Sequence, residues 1–96
     1  MARYVLSPRA QSDLDEIWNY TIRQWGVVQA DRYILDLVSA IETAAANPRS
    51  GRACDEIRPG YFKLPSGSNV VFDKIAGEKI DVIRVLHRRM DFDRHL

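Results

Sequence analysis

The stretch KIDVIRVLH, residues Lys79 to His87, decides the fold predicted for this chain. Its apolar side chains occupy both alternating faces of an extended strand, at Ile80, Val82, Ile83, Val85 and Leu86. A strand with one solvated face carries polar residues at every second position, whereas a strand covered on both faces is apolar almost throughout. The pattern therefore predicts a strand in the interior of a sheet rather than at its edge.

Two further strands are predicted before it, from Ile57 to Leu64 and from Ser68 to Ile75. The second centres on Val70-Val71-Phe72, and the first is weaker because Pro59-Gly60 lies near its start. Short turn sequences connect the three strands, at Pro65-Ser66-Gly67 and Ala76-Gly77-Glu78. The C-terminal half is thus predicted to be a three-stranded antiparallel meander, preceded by a surface loop from Arg49 to Glu56.

Two helical segments occupy the N-terminal half. The first carries a stripe at three- and four-residue steps, at Ala10, Leu14, Ile17, Trp18, Thr21 and Trp25. Ser7 and Pro8 suit its start, and Gly26 ends it. The second repeats the period at Ala30, Tyr33, Ile34, Leu37, Val38, Ile41 and Ala45. It closes at Asn47-Pro48, and the short connection around Gly26 predicts an antiparallel helix hairpin.

The short run from Arg3 to Leu6 is also β-prone, which gives the element order β-α-α-β-β-β. An α+β fold follows, with the helices on one face of a small sheet, in a single domain spanning residues 1–96. If Ile80, Val82 and Leu86 face the helices, Ile83 and Val85 face away from them. We therefore expect something else, such as a partner, to cover the second face of the sheet.

Composition narrows the function. Cys54 is the only cysteine, so the chain can form no intramolecular disulfide and no cysteine-based zinc site, which fits a reducing cytoplasm. No apolar run is long enough for a membrane span. Asp13, Asp15 and Glu16 are close together on an early turn of the first helix, where the helix dipole favours negatively charged side chains. We expect these three side chains to be solvated rather than to bind a metal. We expect neither a metal nor a cofactor.

Charge is distributed unevenly. The net charge of +1 argues against a dedicated nucleic-acid-binding domain. Residues 1–48 hold four Arg and Lys against six Asp and Glu, whereas residues 49–96 hold ten against seven. The second half therefore supplies a basic surface, rich in arginine, which suits contacts with carboxylates or phosphates.

Several short motifs, in a fixed order, carry a family resemblance. They are Leu6-Ser7-Pro8-Arg9-Ala10, Asp13-Leu14-Asp15-Glu16-Ile17-Trp18, Trp25-Gly26, Asn47-Pro48, Arg58-Pro59-Gly60-Tyr61, Ser66-Gly67-Ser68, Val70-Val71-Phe72 and Ile83-Arg84-Val85-Leu86-His87. With them the chain resembles the ParE branch of the RelE/ParE toxin superfamily from Arg3 to Leu96. The resemblance implies the toxin of a type II toxin–antitoxin pair. Its ParD-like antitoxin would wrap the toxin with a C-terminal segment and bind operator DNA with its N-terminal part, so the toxin would meet DNA only indirectly.

The resemblance leaves the toxic activity open, because one fold serves two activities. ParE-like toxins are understood to inhibit DNA gyrase by binding, whereas RelE-like relatives cut mRNA on the ribosome. Candidate RNA-cleaving side chains are present at Arg58, Tyr61, Lys63, Arg84, His87, Arg88 and Arg89. However, Met90 to Leu96 holds two carboxylates and no tyrosine, which disfavours a phosphate site there. The prediction is a non-enzymatic gyrase inhibitor; the alternatives are a ribosome-dependent endonuclease and a decayed, non-toxic interaction module.

Two sets of candidate binding residues follow. Antitoxin binding is assigned to Leu14, Ile17, Trp18, Tyr33, Ile34, Leu37, Arg58, Tyr61 and Arg84. Target binding is assigned to Lys63, His87, Arg88 and Arg89. Arg84 lies in an apolar strand and needs an acidic mate, either Asp73 on the neighbouring strand or a partner's carboxylate. Trp18 and Trp25 are expected to pack within the core or hairpin, and His87 to be satisfied by a neighbour at the strand end.

Overall fold

The computed structural model describes residues 3–96, so residues 1 and 2 of the predicted domain lie outside the described range. The elements, in chain order, are β1 (Tyr4–Leu6), α1 (Pro8–Trp25), α2 (Val27–Ala46), β2 (Arg52–Ala53), β3 (Tyr61–Ser66), β4 (Asn69–Ala76), β5 (Lys79–His87) and α3 (Phe92–His95). The α+β class is confirmed, with the helix hairpin packed on one face of the sheet.

The sheet has the strand order β1-β5-β4-β3-β2. Strands β3, β4 and β5 form the predicted antiparallel meander, and β5 is an interior strand as predicted. The sheet as a whole is mixed, because β1 pairs with β5 in parallel, with Tyr4 opposite Ile80 and Leu6 opposite Val82. The segment predicted as a loop also contains β2, which pairs antiparallel with β3. Two residues are too few to show the alternation by which a strand is recognised in a sequence.

Strand β3 is shifted along the chain from its predicted position. It begins at Tyr61 rather than Ile57, because the carbonyl of Cys54 accepts the amides of Ile57 and Arg58 in a turn. It continues through Pro65 to Ser66. A proline lacks the amide that a central strand donates, but β2 pairs only with the start of β3, so Pro65 lies on an open edge.

The two long helices begin and end where the sequence predicts. Ser7 Oγ accepts the amide of Ala10 at 3.0 Å, and Pro8 follows as the first helical residue. Gly26, at φ 89°, ends α1 and directly precedes α2. Trp25, the last residue of α1, is 72% exposed, so the prediction that it packs within the core or hairpin is wrong. Trp18 is half-buried.

A register shift in β5 changes which side chains face the helices. Phe72 lies opposite Arg84 and Asp73 opposite Val82, so Ile83 is an extra residue in β5. Beyond this bulge the strand alternates in the opposite sense. Val85 therefore packs in the core under the helices and Leu86 on the other face, the reverse of the prediction. The main core consists of Ala10, Leu14, Leu37, Ile41, Ala44, Ala45, Val71, Ile80, Val82 and Val85.

The second face of the sheet is covered by the chain itself, which corrects the expectation that a partner covers it. A second cluster contains Cys54, Val70, Phe72 and Leu86, with Ile57, Tyr61, Phe92 and Leu96 packed against it. The rings of Phe72 and Phe92 meet edge to face, with centroids 4.8 Å apart. Ile57 precedes β3, Tyr61 is its first residue, and Phe92 and Leu96 come from α3 and the residue after it. Helix α3 was not predicted from the sequence.

Candidate binding groove

A groove of about 620 Å³ lies between the helix hairpin and the outer edge of β5. Helix α1 lines it with Ile17 and Tyr20, and Trp25 lies at its end. Val85 and His87 of β5 form its sheet side. The groove therefore combines exposed apolar side chains with the edge of a strand.

The strand edge is open in this groove because β1 is short. β1 pairs with β5 only as far as Val82. Beyond that point α1 takes over the edge: Ser7 Oγ donates to the carbonyl of Ile83 at 2.7 Å, and the amide of Val85 donates to Asp13 Oδ2 at 2.9 Å. Since the amide of Val85 points out of the sheet, the carbonyl of Val85 and the amide of His87 point the same way, toward the groove. An extended segment in the groove can bond to these groups.

Asp13 and Arg84 form a two-point ion pair beside this edge. Arg84 Nε lies 2.8 Å from Asp13 Oδ2, and Arg84 Nη2 lies 2.9 Å from Asp13 Oδ1. The two side chains are 11% (Asp13) and 15% (Arg84) exposed. The hydrogen bonds to Asp13 raise the pKa of Arg84 above its ordinary value. The expectation that Asp13 is solvated is therefore wrong.

Arg84 also does not pair with Asp73, the mate proposed on the neighbouring strand. Arg84 lies opposite Phe72, one residue before Asp73, and successive residues of a strand point to opposite faces of the sheet. Asp73 instead is 2% exposed, and its Oδ1 has no hydrogen-bond partner among residues 3–96. Burial raises the pKa of Asp73 to about 6.

A polar network closes the end of the groove near the β3–β4 turn. Tyr33 Oη donates to Asn69 Oδ1 at 2.6 Å and accepts the amide of Ser68 at 2.9 Å. Gly67, at φ 59°, lies against the same ring, where a Cβ atom would come within 2.8 Å of it. His87 Nδ1 accepts the amide of Arg89 at 3.1 Å, which confirms that this histidine is satisfied by a neighbour.

The structure places the residues predicted to bind antitoxin in three different environments. Ile17 and Tyr33 line the groove. Leu14 and Leu37 are buried in the main core, and Ile34 and Trp18 are partly buried. Arg58 and Tyr61 lie at the second face, where Tyr61 packs on the second cluster and Arg58 Nη1 contacts Asp93 Oδ1 at 2.7 Å. Arg84 lies at the junction of groove and second face. The nine residues therefore do not form one surface.

The residues predicted to bind the target are also divided. His87 lines the groove, and Lys63 is a half-buried residue of β3. Arg88 and Arg89 are exposed just after β5. Four further residues line the groove that were not predicted from the sequence: Tyr20, Asn69, Val85 and Met90. A signal existed for Tyr20, a large side chain beside the buried stripe of α1, whereas the others come together only through the fold.

Within residues 3–96, no three His, Cys, Asp or Glu side chains are grouped so that they could hold a metal ion. Nor does this part of the chain contain a helix that is both long and apolar enough to cross a bilayer. The thiol of Cys54 is buried, and this burial raises its pKa above the ordinary value. Cys54 belongs to the second cluster and does not line the groove.

Comparison with known proteins then decides the family. The family model described as ParE toxin of the type II toxin–antitoxin system, parDE, matches residues 4–92. The chain belongs to the ParE toxin family. Within that family, Toxin ParE1 of Mycobacterium tuberculosis (strain CDC 1551 / Oshkosh) is 60% identical over 96 residues, covering 99% of this chain and 98% of the relative.

Two more distant ParE relatives match over similar lengths. Toxin ParE1 of Caulobacter vibrioides is 44% identical over 96 residues, covering 100% of this chain and 99% of the relative. Toxin ParE of Escherichia coli is 36% identical over 92 residues, covering 95% and 89%. A solved structure, the chromosomal ParDE TA system from P. aeruginosa, shares the fold with a TM-score of 0.78 at 22% identity, covering 91% of this chain and 96% of that one.

Proposed function

We propose that this ParE family toxin is held inactive by a ParD-like antitoxin whose C-terminal segment occupies the groove, and that the free toxin binds and inhibits DNA gyrase. Membership of the ParE family makes the chain the toxin of a type II toxin–antitoxin system. The observation that carries the antitoxin half is the groove itself, in which exposed aromatic side chains flank an open strand edge.

Exposed apolar side chains on the hairpin favour a helical partner segment along the groove. Tyr20 is 59% exposed and Trp25 is 72% exposed, and Met90, which is 45% exposed, lines the same groove. Aromatic side chains of this kind are the usual anchors of protein interfaces. A partner helix packed here would bury them, while the extended chain that follows it bonds to the edge of β5 at Val85 and His87.

The variant Tyr20→Ala tests the groove as the antitoxin site. Tyr20 lines the groove, whereas Leu35 is 63% exposed on α2 and does not line it, so Leu35→Ala is the matched control. We expect Tyr20→Ala to weaken binding of the antitoxin's C-terminal segment by about tenfold or more, and Leu35→Ala to leave it unchanged. Isothermal titration calorimetry measures both. Equal affinities for the two variants would move the antitoxin to another surface.

The target surface is proposed on the exposed basic residues after β5. Arg58 and Arg84 are held by Asp93 and Asp13, which leaves Arg88 and Arg89 as exposed cations near the groove. We expect Arg88→Glu to reduce toxicity more than Arg23→Glu, a charge reversal of the exposed arginine in the last turn of α1. Colony counts after induction measure toxicity. Equal loss from both reversals would contradict this placement.

The gyrase half is tested by expressing the chain alone and together with the antitoxin encoded beside it. Growth arrest relieved by the antitoxin, with induction of a DNA-damage reporter and intact mRNA, is the expected result. Arrest accompanied by cleaved mRNA ends would favour the ribosome-dependent endonuclease, and absence of arrest would favour a decayed interaction module. Operator binding should require the antitoxin, because the toxin is proposed to contact DNA only through it.

A further inference from the structure

Residues 91–96, here named the C-terminal cap, cover part of the second face of the sheet. Phe92 and Leu96 pack against the cluster that contains Phe72 and Leu86. The helix in the cap, α3, is one turn long, and its N-cap residue Asp91 makes no side-chain capping bond. A single turn has little intrinsic stability, so the cap depends on the side chains that hold it.

Two arginines bind the polar groups of the cap. Arg58 Nη2 donates to the carbonyls of Asp93 at 3.1 Å and Leu96 at 2.9 Å, in addition to its ion pair with Asp93. Arg84 Nη1 donates to the carbonyl of His95 at 2.9 Å. These carbonyls lie at the end of a helix, where they lack partners within the helix itself.

Arg84 is at the same time part of the groove. Its other edge is fixed by Asp13, which lines the groove and also accepts the amide of Val85. A guanidinium is planar and rigid, so two bonds to Asp13 set the direction of the third, to His95. Met90, which also lines the groove, immediately precedes the cap in the chain. One side-chain fork therefore joins the groove to the cap.

We propose that Asp13 is a positioning residue that couples the groove to the C-terminal cap, so that a partner seated in the groove locks the cap onto the sheet. An occupant would exclude the remaining water from the Asp13–Arg84 pair and pack against Met90. Electrostatic attraction strengthens as water is excluded, so opening of the cap becomes less favourable. Coupling of this kind is reciprocal: a docked cap raises the affinity of the groove for its partner.

Hydrogen exchange of the free chain tests, without any partner, whether Asp13 holds the C-terminal cap in place. The amides of Arg94 and Leu96 bond to the carbonyls of Asp91 and Phe92, and their exchange reports opening of the cap. We expect Asp13→Asn to speed their exchange by on the order of tenfold, because the fork loses a charge-assisted pair. Asp15→Asn is the matched control, since Asp15 is exposed and, among residues 3–96, accepts a hydrogen bond only from the side chain of Gln11.

General destabilisation is separated from loosening of the cap by repeating the exchange in low concentrations of urea. Exchange through local opening of the cap hardly depends on urea, whereas exchange of Val71, a core amide of β4, proceeds through global unfolding and speeds up steeply with urea. Arg84→Lys, which retains the charge but not the planar fork, should also speed exchange at the cap. Unchanged exchange of Arg94 and Leu96 in Asp13→Asn would overturn the proposal. Cap exchange in Asp13→Asn that depends on urea as steeply as exchange of Val71 does would also overturn it.

The effect of a groove occupant on the cap rests on the proposed function, and its test uses a synthetic peptide of the antitoxin's C-terminal segment. Saturating peptide should slow cap exchange in the wild-type chain and in Asp15→Asn, and should slow it clearly less in Asp13→Asn, where only packing against Met90 remains. A peptide that binds without slowing cap exchange in the wild-type chain would overturn the coupling. A peptide that does not bind at all would contradict the proposed function, and the free-chain comparison would then decide whether Asp13 positions the cap.

Discussion

Two arginines reach the same C-terminal cap from different surroundings. The Arg84–Asp13 pair is enclosed between α1 and β5, with 15% and 11% of the two side chains exposed, whereas in the Arg58–Asp93 pair these fractions are 37% and 75%. The N–O distances differ by only 0.1 Å, at 2.8 and 2.7 Å. Solvent screens the second pair and hardly reaches the first, so equal geometry does not mean equal contribution to stability.

The largest expected effect comes from removing the enclosed cation. Arg84→Ala leaves the Asp13 carboxylate buried without its partner, and we expect a loss of about 4 kcal/mol in the free energy of unfolding. Urea denaturation followed by circular dichroism measures it. A loss below about 1 kcal/mol would mean that the pair behaves like a surface pair and that the contrast between the two arginines is false.

Asp73 extends the comparison to a buried carboxyl group that forms no ion pair with any residue from 3 to 96. Its pKa is about 6 in the folded chain against 3.8 for the free side chain. The folded state therefore binds the proton of Asp73 more tightly, so the contribution of this group to stability is greatest below pH 3.8 and is lost as the pH rises through about 6. The two pKa values correspond to about 3 kcal/mol of stability lost between these limits.

Thermal or urea unfolding from pH 4 to pH 7 measures this loss in the wild-type chain and in Asp73→Asn. The neutral amide should remove this component of the pH dependence and make the variant more stable than wild type at pH 7. Asp36→Asn, an exposed residue of α2, is the control and should retain the wild-type profile. Parallel profiles for wild type and Asp73→Asn would refute the assignment.

The smallest effect on the free energy of unfolding is expected for Arg58, the more exposed of the two arginines. Arg58→Ala should lower the free energy of unfolding by about 1 kcal/mol, because its ion pair is screened and its carbonyl partners can turn to water. Raising the salt concentration to about 1 M should reduce the difference between Arg58→Ala and wild type more than that between Arg84→Ala and wild type. An equal salt response of the two variants would remove the distinction in solvent screening.

The helices and the last strand could be predicted from the sequence because their signals are local. Ser7, Pro8 and Gly26 mark the ends of α1, and apolar spacing marks β5 from Lys79 to His87. The bulge at Ile83 has no comparable signal, since it follows from pairing with β4. It reversed the predicted facing of Val85 and Leu86.

The groove could be predicted only in part, because it lies where distant segments meet. Ile17 and Tyr33 were found from helical spacing and His87 from the basic end of β5, but Asn69 and Val85 carry no local mark of a binding site. Arg84 was correctly expected to need an acidic mate. Its mate, Asp13, is 71 residues away in the chain and belongs to a helix, so pairing between neighbouring strands pointed to the wrong acid.

The parallel pairing of β1 with β5 determines how late in synthesis the groove can form. Ser7 and Ile83, which bond where these strands meet, are 76 residues apart, so this part of the sheet closes only after Ile83 has been synthesised. Strand β5 lies between β1 and β4 in the sheet. While β5 is still inside the ribosome, β1 therefore has no strand to pair with and stays separate from β4, β3 and β2. A ribosome that stalls before β5 therefore yields a fragment that lacks both the strand edge of the groove and the C-terminal cap, so the groove can form only in chains whose synthesis has passed β5.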